Sequence, residues 1–246
     1  MQSAWNKVSP EYQQNQRIST SDVYYGAWSP SESELQLLGD LNGKRVLDFG
    51  CGGGQSAIAL ARQGALVTGI DLSSIQLQYA LNLASQENVT VTFLAGGVEQ
   101  LAMLPPESWE VILSLNVLPY IEEPQDFLKE CSRLLQKGGR LVISMDHPLR
   151  NCFVDEEEND LALYPVRSYF DRRAMHWQFS DSGTWMVSYH RTTSEWIDAL
   201  SGAGLRLLRL LEPPPVAEMV DRLWPADGAQ AALRNIPQTI LFIASI

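Results

Sequence analysis

The stretch Val46-Leu47-Asp48-Phe49-Gly50-Cys51-Gly52-Gly53-Gly54 runs a short apolar strand into a turn with glycine at three alternate positions. Residues without Cβ atoms let the backbone approach a ligand closely and take positive φ in a tight turn. An Ala-rich helical segment follows at 54–63. A second apolar strand at 66–70 then ends at Asp71. A carboxylate in that place can accept hydrogen bonds from both hydroxyls of a ribose. Together these features point to a nucleoside cofactor.

The same rhythm extends outward. Ser73 with Gln76 three residues on reads as a capping box, and Leu77, Leu81 and Ala84 continue one helical face. Residues 89–94 and 109–115 read as strands. Pro124 suits a first helical turn. Phe127, Leu128, Cys131, Leu134 and Leu135 then repeat at helical spacing. Gly138-Gly139 is expected to stop that helix and 140–144 to form a fifth strand. Such alternation implies an α/β fold with a mainly parallel sheet covered by helices on both faces. Ligands bind such sheets beyond the carboxyl ends of the strands, where the strand order reverses.

Both flanks differ from this core, which spans 44–146. Residues 1–40 have sparse periodicity and several aromatics, and read as an N-terminal arm. Residues 151–190 also break the rhythm and read as an insertion that serves as a substrate lid, its acidic run at 155–158 a solvated loop. Regular structure resumes at 192–246. There Thr192 and Glu195 form a second capping box, and 205–211 and 239–246 read as the last strands. The whole chain, 1–246, is expected to be a single domain.

Composition narrows the function. With 18 Lys plus Arg against 29 Asp plus Glu, the 246 residues carry a net charge of −11. A chain this acidic repels phosphate backbones, so no nucleic-acid partner is expected. No apolar run approaches the roughly 20 residues of a membrane span, and residues 1–10 are no secretory signal, so a cytoplasmic protein without a membrane partner is expected. Three scattered cysteines fit neither a disulfide framework nor a zinc site, and no metal is expected. Monomer and homodimer both remain open.

Spacing alone leaves the cofactor open, because Gly52-x-Gly54-x-x-Ala57 with Asp71 also fits the dinucleotide fingerprint. Asp48 at the strand end, the D-x-G-x-G-x-G turn and Leu115-Asn116-Val117-Leu118-Pro119-Tyr120 after the fourth strand favour another reading. Through them the sequence resembles the class I S-adenosylmethionine-dependent methyltransferases over most of its length. Gly69-Ile70-Asp71-Leu72-Ser73 matches the family's ribose-binding loop, and 94–101 its adenine loop. A bacterial subgroup acting on small molecules is similar at Tyr25-Gly26, Glu32, Ser144-x-x-His147-Pro148, His190-Arg191-Thr192 and Glu212-Pro213. The resemblance implies a Rossmann-like seven-stranded sheet with its last strand antiparallel. It also implies S-adenosylmethionine as cofactor, S-adenosylhomocysteine as product and a small-molecule methyl acceptor as partner. One departure stands out: Gly97 occupies the position where the family usually has an Asp for the adenine amino group, leaving that role to Glu99 or to backbone.

The residues expected to hold the cofactor are Tyr25, Asp48, Gly50, Gly52, Asp71, Leu72, Gln76, Val98, Glu99 and Asn116. Those expected to meet the acceptor are Tyr12, Trp28, Tyr120, His147, Tyr169 and His190. His147, just past the fifth strand, is the candidate base; its structural alternative is a hydrogen bond that fixes the loop. Transfer of a methyl group to N, O or C needs mainly in-line positioning in a closed site. Other readings stay open: a different S-adenosylmethionine-dependent reaction on this scaffold, a nicotinamide oxidoreductase, or a non-catalytic binding subunit.

Overall fold

The computed structural model describes residues 1–16, 18–179 and 182–246. Its centre is a seven-stranded sheet built from β1 (Arg45–Phe49), β2 (Leu66–Asp71), β3 (Thr92–Ala95), β4 (Trp109–Leu115), β5 (Leu135–Asp146), β10 (Arg206–Leu211) and β11 (Thr239–Ser245). Two small hairpins intervene: β6 (Val154–Asp155) with β7 (Asp160–Leu161), and β8 (Met175–Phe179) with β9 (Thr184–Ser188). Strand order in the large sheet is β10-β11-β5-β4-β1-β2-β3. β1 to β5 pair in parallel, while β11 runs antiparallel between β5 and β10. The chain winds from β1 to one edge through β2 and β3, then returns to lay β4 on the other side of β1. The switch point therefore lies between the carboxyl ends of β1 and β4.

Helices α1 (Gln2–Gln16), α2 (Glu32–Leu35), α3 (Gln55–Arg62), α4 (Ser74–Gln86), α5 (Val98–Leu101), α6 (Pro124–Leu134), α7 (Thr193–Gly202) and α8 (Ala217–Leu223) complete the fold. Successive strand residues point to opposite faces, so a strand covered on both sides carries apolar residues toward both. β1 shows this: Leu47 packs with Phe127, Leu128 and Trp196 on one face, and Val46 with Ala57, Leu60 and Val67 on the other. Ser73 caps α4 by accepting from the Gln76 backbone N–H, and Thr192 and Glu195 form a reciprocal capping box on α7.

Two expectations change. Gly138-Gly139 does not end α6; that helix stops at Leu134, and β5 begins at Leu135. The glycines instead sit where the β4–β5 register shifts between Trp109 and Val111, and a Cβ on Gly139 would press on the Trp109 and Gln136 carbonyls. Sparse periodicity assigns no helix to the N-terminal arm, yet the arm begins as the fifteen-residue helix α1, with Pro10 within it. Its aromatic face (Trp5, Tyr12) packs with Val8 on Phe179 and Met186 of the second hairpin. The acidic run turns β6 into β7.

Candidate active site

The glycine turn after β1 works by local geometry. Gly50 has φ +76°, and a Cβ there would overlap the Val117 side chain that enters from the loop after β4. At Gly53 a Cβ would strike the amide of Gln13, so α1 lies directly on the turn. Asp71 ties the two halves together. Its Oδ2 accepts from the Gly52 backbone N–H at 2.8 Å and its Oδ1 from that of Ser73 at 2.8 Å. Burial pushes its pKa up, while those two N–H groups pull it down. Asp48 is 2% exposed, and its Oδ2 has no partner among the described residues. Burial and then the charge of Asp71 push its pKa up to about 7. A buried, orphaned carboxylate oxygen beside a turn that leaves no room for a Cβ at Gly50, Gly53 or Gly54 suits a ligand with cationic or hydrogen-bond-donating groups.

Asn116, at φ +59°, turns the chain out of β4. Its backbone N–H donates to the Ser144 carbonyl at 2.8 Å, and its Nδ2 approaches the Tyr25 carbonyl at 3.4 Å. The side-chain amide lies against Gly26, where a Cβ would meet it at 3.3 Å. The resulting cavity, about 610 Å³, runs from the glycine turn to Gly96, Gly97 and Val98 beyond β3.

α1 closes the cavity through a polar stripe. Gln2 donates to the Leu72 carbonyl at 2.9 Å, Asn6 accepts from the Ser73 hydroxyl at 2.7 Å, and the Ser9 and Ser73 hydroxyls are 3.3 Å apart. Gln13 accepts from Gln55 Nε2 at 2.5 Å and donates to Gln76 Oε1 at 2.7 Å. Positions 2, 6, 9 and 13 share one helical face. The adjacent stripe brings Trp5 and Tyr12 into the cavity wall.

A second chamber of about 360 Å³ opens beneath the two hairpins and shares Asn116, Tyr120, Asp146 and Trp177 with the first. Asp146 ends β5, and its carboxylate is half-exposed. Arg150 Nη1 meets its Oδ2 at 3.1 Å. Burial, with Asp71 adding to it, pushes the Tyr12 phenol up to about 12. Burial also raises the Tyr24 and Tyr120 phenols, with Asp146 contributing to both.

Of the residues expected from sequence, Asp48, Gly50, Gly52, Asp71, Leu72, Gln76, Val98 and Asn116 border the first cavity, as do Tyr12, Trp28 and Tyr120. Trp28 also stacks on Trp224 at 4.5 Å. Five others do not. Tyr25 points into the core and donates to Glu32 Oε2 at 2.7 Å; Tyr24 lines the cavity instead. Glu99 folds back to accept from the Gly97 N–H at 2.7 Å, so the backbone of Gly96 and Gly97 borders the cavity there. His147, 5% exposed, uses both ring nitrogens: Nδ1 accepts from the Leu149 N–H at 3.0 Å, so Nε2 carries the proton and donates to Glu212 Oε1 at 2.7 Å. These bonds tie it to the loop after β5 and to Glu212, and it borders neither cavity. Tyr169 turns its hydroxyl onto the Thr193 backbone N–H at 2.9 Å, at the start of α7. His190 is held between the Tyr169 carbonyl at 2.8 Å and Asn151 at 3.3 Å, and burial lowers its pKa. The residues that sequence reasoning passed over are Trp5, Gln13, Tyr24, Asp146 and Trp177. Asp146 had a signal, since it lies just past the expected end of the fifth strand. Among the described residues no cluster suited to a metal ion occurs.

Comparison with known proteins agrees with this geometry. Residues 47–143 match the family described as "Methyltransferase domain". A ubiquinone biosynthesis O-methyltransferase from Klebsiella pneumoniae is 33% identical over 142 residues, 58% of this chain and 55% of that one. The chain thus spans about half the length of the curated relatives it matches. A Listeria monocytogenes protein assigned to the S-adenosylmethionine-dependent methyltransferases superposes with TM-score 0.68 at 29% identity, over 87% of this chain and 96% of that one. The cyclase SpnF shares the fold at TM-score 0.66 and 17% identity, over 99% of this chain and 94% of that one. The glycine turn, the acid closing β2 and the switch-point cavity all fall within or beside the matched span, and in that span and in its fold the chain is similar to S-adenosylmethionine-dependent methyltransferases.

Proposed function

We propose that this chain transfers a methyl group from S-adenosylmethionine to a small molecule bound in the second chamber. The observation that carries the reading is the joining of two chambers at Asn116, Tyr120, Asp146 and Trp177, one with a nucleoside cradle and one without. When bound, S-adenosylmethionine supplies a methyl carbon on a sulfonium, a leaving group that needs no further activation. Asp71 would hold the ribose, the glycine turn and Asp48 the methionine end, and Val98 with the Gly96–Gly97 backbone the base. The protein's own contribution is then to position and to exclude water. α1 and the hairpin β8–β9 wall the junction with Trp5, Tyr12, Trp177 and Phe179, so an acceptor meets the cofactor in a dry, aromatic-lined space. No histidine faces this junction, which suits an acceptor that arrives with its lone pair available.

The fold also hosts a cyclase, so binding has to be tested separately from turnover. Calorimetry with S-adenosylhomocysteine, and NAD as control, tests the cofactor. Binding of the first alone is expected; binding of NAD alone would overturn the reading. Asp71→Ala removes a charge-assisted contact of roughly 1.5–3 kcal/mol, so affinity should fall about tenfold to a hundredfold. Unchanged affinity in a folded variant would remove Asp71 from the site.

A further inference from the structure

Resting on the methyltransferase reading, we infer that the acceptor carries a cationic amine, and that Asp146 at the junction of the two chambers selects it. Charge makes the first argument. The carboxylates bordering the joined space are Asp48, Asp71, Glu122, Asp146 and Asp160. Among the described side chains the one basic group bordering it is Arg150, whose guanidinium is engaged by Asp146 at 3.1 Å and by Gln238 Oε1 at 3.0 Å. An acceptor with a carboxylate or phosphate would enter against this field, and an ammonium would enter with it.

Asp146 is suited to receive that ammonium. Its side chain is 49% exposed at the junction, and only its Oδ2 is engaged by Arg150. Tyr12, Tyr24 and Tyr120 line the first cavity and Tyr120 lines the junction as well, and among the described residues no hydrogen bond is formed by their hydroxyls. Phenols kept neutral by burial can accept from an ammonium without adding charge, and aromatic faces attract cations. Trp177, common to both chambers, supplies such a face. A carboxylate oxygen, neutral hydroxyls and indole surface around one opening make a binding place for an ammonium on an apolar skeleton.

The test uses the full chain saturated with S-adenosylhomocysteine at pH 7.5. The probes are 2-phenylethylamine, 3-phenylpropionate and 2-phenylethanol, with hexylamine, hexanoate and hexanol as the aliphatic set. Titration is expected to show at least one amine binding tenfold or more tightly than the acid and alcohol of its own skeleton. Asp146→Asn should shrink that preference to threefold or less, and Arg150→Gln, which frees Asp146, should tighten amine binding. Cooperative thermal unfolding of each variant shows that it is folded. Equal or tighter binding of the acids, no amine binding at millimolar concentration, or an undiminished preference in folded Asp146→Asn would overturn the proposal. If S-adenosylhomocysteine fails to bind the unaltered protein, the methyltransferase reading fails separately. The same probes are then titrated into the cofactor-free chain, where the same cavity should show the same preference.

Discussion

At the scale of single residues, Asp48 carries a cost set by its burial. Its usual pKa of 3.8 rises to about 7 through burial and the neighbouring Asp71. The folded chain therefore holds this proton more tightly than the unfolded chain. Its contribution to stability is full below pH 4 and is lost as pH rises through about 7. The shift corresponds to about 4 kcal/mol. Asp48→Asn keeps the shape without the charge. Urea unfolding of the ligand-free variant should show a flatter stability profile between pH 4 and 7, and greater stability than the parent at pH 8. Parallel profiles would show that Asp48 is solvated in solution. Tyr25 marks the limit of sequence reading at this scale. Tyr24-Tyr25 announces an aromatic contact, but which ring faces the cavity follows from Glu32 receiving the Tyr25 hydroxyl.

Among the elements, α1 is the one fastened across the cofactor loops. It reaches the cofactor loops through side-chain hydrogen bonds along positions 2, 6, 9 and 13. Neutral hydrogen bonds contribute about 1 kcal/mol each, so such a latch can open without unfolding the sheet. Gln13 makes two of them, to Gln55 and Gln76. Gln13→Ala should speed release of S-adenosylhomocysteine about tenfold or more, followed by stopped-flow Trp fluorescence with Trp5 on the same helix as reporter. An unchanged release rate would mean that α1 stays closed while ligand leaves by another path. Trp5, Val8 and Tyr12 do repeat at helical spacing, but Pro10 lies inside the segment and the adjacent inward stripe at 2, 6, 9 and 13 is polar, so the amphipathic signal is diluted.

Across the whole molecule, distant segments are fastened where the sheet changes direction. His147 follows β5 and Glu212 follows β10, on strands separated by the antiparallel β11, and their side chains meet at 2.7 Å. His147→Ala should cost about 1–3 kcal/mol in denaturant unfolding. It should leave S-adenosylhomocysteine affinity and the pH profile of methyl transfer where they were. A shifted profile would return His147 to the chemistry.

The order of β1 to β5, both helix caps and the cradle from Asp48 to Asp71 were legible in the sequence because each rests on local physics. Glycines grant positive φ, hydroxyls cap helices within three residues, and a strand buried on two faces carries apolar residues toward both. Where His147, Tyr169, His190 and Glu99 point was decided only by the tertiary structure, because each meets partners set by folding or by the turn it closes. The second chamber and the latch of α1 belong to the same class. They exist only where residues 1–16, the loops of the core and the hairpins of 151–190 converge, and a polar side chain shows its role only once the groups that satisfy it are beside it.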